Sequence, residues 1–144
     1  MLQGLRGALP APAPDRELRY ALLRFYHCVA QADIWLHLAS IAALDSAVCL
    51  ILAALLETDR VLAQEPTVNA IFRQIHRDEA GHVRLSRRIA SEFVQGDAIG
   101  AVAENACLGL VGVLTRRGAA FDTLGVDAER LFERIGRVPN GLFQ

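Results

Sequence analysis

The feature that most constrains this fold is a run from residue 38 to residue 56 in which only Ser40, Asp45 and Ser46 are polar. No glycine or proline interrupts the run, so we expect a single helix that is apolar on every side and therefore buried. A charged carboxylate in the middle of such a helix must be paired, neutralised or bound to a metal, because an uncompensated buried charge is costly. Asp45 is therefore the first candidate site residue.

The same run is almost long enough to span a membrane. A central aspartate, however, costs about 3 kcal/mol on membrane-insertion scales. The neighbouring segments are also amphipathic. We therefore expect a soluble helical core and no membrane partner.

Composition predicts one all-α domain. The 144 residues are 53% hydrophobic and 6% aromatic, and stretches that alternate apolar and β-branched residues with polar ones are absent. The net charge is −1, so nucleic acid is not an expected partner. The cysteines are odd in number and lie in apolar surroundings, which predicts reduced core thiols in a cytoplasmic protein; they are Cys28, Cys49 and Cys107. No signal peptide is evident.

The chain divides into a Pro/Ala-rich arm (residues 1–14), a helical bundle domain (15–136) and a C-terminal tail (137–144). Asp15 and Asp97 are predicted N-caps, and Gly96 and Gly118 are predicted to stop the helices that precede them. Gly136 and Pro139 are predicted to end regular structure. The predicted helices run from Arg16 to about Ala32, Asp33 to Thr58, Thr67 to about Val94, Ala98 to Arg117 and Asp127 to Ile135.

Glu79 and His82 form a Glu-x-x-His pair in the middle of the third long helix. At 100° per residue both lie on the face that carries Phe72, Ile75 and Val83, while arginines cluster on the opposite side. A carboxylate and an imidazole one turn apart, both directed into a core, favour a metal site. If the helices end and begin near residues 58 and 67, Asp45 and Glu79 lie at similar heights in an antiparallel hairpin.

Asp45 with the Glu79/His82 pair resembles one half of the site in the ferritin-like superfamily of di-iron carboxylate proteins, over residues 33–93. In that family a four-helix bundle holds two metals with one carboxylate from each of two helices and a Glu-x-x-His from each of the other two. The resemblance implies a ferritin-like helical bundle in which Asp45, Glu79 and His82 bind iron or manganese. It also implies a non-haem oxidoreductase that activates oxygen for a small organic substrate.

The chain departs from the family because it contains no second Glu-x-x-His; Glu17 is followed at that spacing by Tyr20. Three explanations stay open: a homodimer whose two-fold axis unites two half-sites, a fragment of a longer protein, or a degenerate site. A non-enzymatic scaffold or interaction domain and an iron-handling protein are the alternative functions. Without a metal, Asp45 would pair with His82, or Glu79 with an arginine.

Three further residues are weaker candidates for metal ligands. Asp33 and His37 are four apart, a spacing that can bind metal, yet we expect Asp33 to face solvent and His37 to pack in the core. Glu104 interrupts an apolar helix and is the best substitute ligand.

Overall fold

A computed structural model of the chain describes residues 15–57, 59–94 and 97–143. Within those ranges the protein contains helices and no strand, which confirms the all-α prediction, and the predicted arm at residues 1–14 lies outside them. A 3₁₀ turn at Thr115–Arg117 follows the fifth helix. The helices are α1 (Arg16–Val29), α2 (Ile34–Leu55), α3 (Val61–Gln64), α4 (Pro66–Phe93), α5 (Ala98–Leu114), α6 (Gly118–Thr123), α7 (Ala128–Gly136) and α8 (Pro139–Leu142).

Aspartate caps fix the start of three helices. The Asp15 carboxylate accepts a hydrogen bond from the Leu18 N–H of α1, and Asp127 does the same for Arg130 in α7. Asp33 accepts from the backbone N–H groups of Trp35 and Leu36 at 2.7 and 3.1 Å. Because an N-cap residue needs extended backbone, Asp33 separates α1 from α2, and α1 ends before the predicted Ala32.

Replacing Asp33 by alanine is expected to lower the free energy of unfolding by about 1 kcal/mol, because two N–H groups of α2 lose their acceptor. Asp97→Ala is the matched control, since Asp97 precedes α5 without a side-chain cap hydrogen bond, contrary to the sequence prediction. Urea denaturation of the two variants measures the difference. Equal losses in both variants would show that the Asp33 cap contributes nothing.

Helix α2 is central to the fold. It packs along α4 on one side and α5 on the other, and α7 and α8 close the far end of the core. The side of α2 that faces α5 carries small residues, and the Cys107 thiol of α5 lies 3.9 Å from the Ala43 carbonyl oxygen. The shared core contains Ala42, Ala43, Ala47, Ala54, Leu55, Ala103, Cys107, Val126, Leu131, Ile135 and Leu142.

Of the predicted stops, the one at Pro139 was wrong. Gly118 follows the 3₁₀ turn after α5 and begins the short helix α6; a Cβ at this position would make ordinary van der Waals contact with that of Ala128, at 3.8 Å. Pro139 begins α8 because proline is tolerated in the first turn of a helix, where its missing N–H would have no helical partner. The predicted tail at 137–144 therefore contains a helical turn. Gly96, predicted to end α4, lies outside the described residues.

Two helical stretches, Ile34–Leu55 and Ala98–Thr123, are long and apolar enough to cross a membrane by length and composition. Core helices of soluble proteins meet the same two criteria. The rest of the chain buries 44% of the apolar window in α2 and 22% of the window in the second stretch. Much of their apolar surface is therefore uncovered in a single chain.

Candidate metal centre

The hairpin formed by α2 and α4 brings the predicted residues to nearly the same height. Asp45 lies ten residues before Leu55, the end of α2, and Glu79 lies thirteen residues after Pro66, the start of α4. The difference of three residues corresponds to about 4.5 Å along a helix. The connection through α3 absorbs this offset, so the two carboxylates face each other across the hairpin.

Asp45, Glu79 and His82 form a compact group in which one potential ligand atom from each residue lies within 4.8 Å of the others. All three residues singled out from the sequence are therefore brought together. Two N or O atoms bound to one transition-metal ion at 2.0 to 2.2 Å are at most about 4.4 Å apart. Small side-chain rotations would thus bring the three atoms to a common ion.

The burial of the pair on α4 differs from the prediction that both side chains point into the core. The Glu79 side chain is 24% exposed, but that of His82 is 63% exposed. Three residues along a helix turn the side chain by about 60° from the starting direction. Glu79 consequently faces α2, whereas His82 lies on a flank of α4 that no other described helix covers.

Glu79 and His82 also contact each other, with 3.3 Å between Glu79 Oε2 and His82 Nδ1. Without a metal, we expected Asp45 to pair with His82, or Glu79 to pair with an arginine. The structure instead pairs Glu79 with His82. Asp78, adjacent to Glu79 in the chain, accepts a hydrogen bond from Gln74 Nε2 at 2.8 Å.

The electrostatics of the group favour a bound cation. Partial burial and, to a smaller extent, the negative charge of Glu79 raise the pKa of Asp45, and His82 lowers it; together they shift the pKa from 3.8 to about 6. A carboxylate with such a raised pKa lacks a compensating positive charge. A divalent cation between the three side chains would supply that charge.

The other candidates lie apart from this group. Asp33 is the exposed N-cap of α2, as expected of a solvent-facing residue, and the His37 Nδ1 atom lies 3.2 Å from the Val29 carbonyl oxygen. Glu104 is exposed on α5. None of the three belongs to the Asp45 cluster found among the described residues.

The cysteines are free thiols, but only Cys107 is fully buried as predicted. Cys28 is exposed and Cys49 is half-buried, because α1 and the outer side of α2 are partly uncovered. Sequence reasoning missed that Cys49, one turn after Asp45, is a neighbour of the candidate centre; the spacing of four was the available signal. Burial, Glu79 and Asp45 raise the pKa of the Cys49 thiol, so it stays protonated and is a poor metal ligand.

No protein-family model, curated protein or solved structure matches this chain. The candidate centre is therefore interpreted from the chemistry and geometry of Asp45, Glu79 and His82 themselves.

Proposed function

We propose that this chain is a non-haem metal oxidoreductase of ferritin-like descent that activates oxygen for a small organic substrate. The observation that carries the proposal is the convergence of Asp45, Glu79 and His82 within 4.8 Å on two facing helices. Two hard carboxylates and one imidazole suit iron or manganese, and this donor set tolerates a change of oxidation state. A bound metal with open coordination positions would supply the redox chemistry toward oxygen.

The residues have separate roles in this proposal. Glu79, held against α2, and Asp45, raised in pKa by burial, would supply the two carboxylates. Below about pH 6 Asp45 carries a proton, which it would have to release on binding a metal. His82, with its side chain 63% exposed, leaves one side of the centre open to a substrate or a second set of ligands.

One chain supplies three ligands, which is half of the set that a dinuclear ferritin-like centre uses. We propose that a second copy of the chain supplies the other half, so that the functional unit is a homodimer. Exposed, unpaired Cys28 is in keeping with a reducing compartment, and we propose a cytoplasmic location.

Metal content tests this function. Protein purified without chelators is expected to contain about one iron or manganese per chain by plasma mass spectrometry. Glu79→Ala/His82→Ala is expected to lose that metal, because two of the three ligands are gone. His27→Ala/Glu104→Ala is the matched control: it removes the same two residue types from exposed positions on α1 and α5.

The control variant should retain the wild-type metal content. Folded wild-type protein that contains no iron or manganese, and takes up neither when they are supplied, would contradict the proposed function. Retention of metal by the ligand variant would place the ion elsewhere.

A second candidate function is a non-enzymatic helical interaction domain that keeps the bundle after loss of the site. The observation that favours it is the Glu79 to His82 contact of 3.3 Å, which lets the two side chains satisfy each other without a metal. An absorption band from an oxo-bridged ferric pair in iron-loaded protein would favour the oxidoreductase, and its absence would favour the interaction domain.

A further inference from the structure

One flank of α4 carries a regular stripe that the metal site uses only at its centre. Its members recur at spacings of four, three, four, three and four residues, the pattern that lines the contact between two helices of a coiled coil. We call this stripe the outer seam. It consists of Ile71, Ile75, Asp78, His82, Leu85 and Ile89.

The outer seam is exposed although most of its members are apolar. Leu85 is 52% exposed, and Ile71 and Ile75 are 39% and 38% exposed. The exposed arginines of α4 lie mostly on its other flank, so the seam is an apolar stripe with one acid and one imidazole at its centre. Contiguous apolar surface of this kind marks an interaction site.

The seam is complementary to itself when a second copy runs antiparallel. Ile71 and Ile89 are each nine residues from position 80, and Asp78 and His82 are each two residues from it. Ile75 and Leu85 are likewise equidistant. A two-fold axis through this midpoint therefore places apolar against apolar and acid against imidazole, whereas parallel pairing would place two Asp78 carboxylates together.

Gly81, beside the midpoint, agrees with this pairing, although Gly100 and Gly112 in α5 have the same open surroundings. Glycine in the interior of a helix disfavours the helix, and nothing within one chain lies within 4 Å of a Cβ built at this position. Packing inside the chain therefore gives no reason for the missing side chain. Close approach of another helix at this height does give one.

We propose that two copies of this chain dimerise through the outer seam, with their α4 helices antiparallel and His82 of each facing the partner's Asp78. The two metal-binding groups then meet across the two-fold axis, and the partner's Asp78 becomes the acceptor for the imidazole nitrogen that does not bind metal. The interface follows from the seam itself, but its role in completing the centre depends on the proposed function.

Light scattering on a size-exclusion column tests the interface. The wild-type chain is expected to elute at about 31 kDa, twice the 15.7 kDa of one chain. Leu85→Arg should give a monomer, because it places two charges inside the seam. Leu108→Arg is the matched control: Leu108 is 54% exposed, similar to Leu85, but lies on α5, and this variant should stay dimeric. A monomeric wild type, a dimeric Leu85→Arg, or a monomeric Leu108→Arg overturns the proposal.

Disulfide cross-linking tests the register, that is, which residues of the two outer seams face each other. In the double variant Ile75→Cys/Leu85→Cys, mild oxidation is expected to join position 75 of one chain to position 85 of the other, as identified by peptide mass spectrometry. Bridges joining 75 to 75 or 85 to 85 would show parallel pairing, and absence of any interchain bridge at these positions would place the contact elsewhere. Either result overturns the antiparallel seam.

Metal analysis of the same samples distinguishes the proposed oxidoreductase from the proposed dimer interface. A metal-loaded monomer would contradict the seam and keep the oxidoreductase, with the missing helices supplied by another segment or protein. A metal-free dimer with the 75 to 85 bridge would contradict the oxidoreductase and keep the seam.

Discussion

Asp45→Asn is expected to abolish metal binding. In the metal-free protein, the wild type should lose stability as the pH rises, and the variant should not show that loss. The pKa of Asp45 is raised in the folded state from 3.8 to about 6, first by desolvation and then by Glu79. A raised carboxylate pKa means that folding favours the protonated form. The protonated Asp45 carboxyl therefore makes its full contribution to the free energy of unfolding below about pH 4, and that contribution is lost as the pH rises through 6.

Asparagine resembles the protonated carboxyl and does not titrate. The variant should therefore match the wild type near pH 4 and exceed it at pH 7 by roughly 1 to 2 kcal/mol, after allowance for solvent screening of a partly exposed group. Urea unfolding in the presence of a chelator, at pH values from 4 to 7, measures the difference. The difference between the variant and the wild type cancels the titration of groups distant from the substitution.

Asp97→Asn is the control for this experiment, because Asp97 is exposed and lies outside the candidate centre. Its pH profile should follow that of the wild type. A constant difference between Asp45→Asn and the wild type across the pH range would contradict the raised pKa. Adding iron or manganese should reverse the order of stability at pH 7, since only the wild type gains binding free energy there.

Ile135→Ala is expected to produce the largest loss of stability among single core substitutions, about 2 to 5 kcal/mol. Ile135 is fully buried in α7, within the core that α7 shares with α2 and α5. Truncation removes apolar burial and leaves a cavity that the surrounding helices fill only in part.

Ile34→Ala is the matched control, because Ile34 is 56% exposed at the start of α2. Its expected effect is within about 0.5 kcal/mol, as for most surface substitutions. Thermal and urea unfolding measure both variants. A loss at Ile135 no larger than that at Ile34 would mean that α7 is not docked in solution.

The sequence was sufficient to predict the long helices and the proximity of Asp45, Glu79 and His82, because both follow from capping, helical spacing and the geometry of an antiparallel hairpin. Asp33 marks a helix start through its capping chemistry, and Asp45 is conspicuous because its helix is otherwise apolar. Spacing from the ends of the hairpin then places Glu79 opposite Asp45.

The remaining features depend on packing that no local pattern encodes. Helical periodicity gives the direction of His82 but not whether another helix covers it, so its exposure was not predicted. Pro139 is a valid stop signal that the tolerance of a helix's first turn for proline overrides. The four residues of α3 are too few to show a periodicity.

The small residues behind α2 determine which side of the candidate centre can move. Ala43, Ala47 and Cys107 are fully buried, and together they leave α2 no space to retreat toward α5. Helix α4 has no such backing on its outer flank. In a single chain that held a metal, a change in the size of the ligand sphere would therefore displace α4, while α2 would hold Asp45 in place.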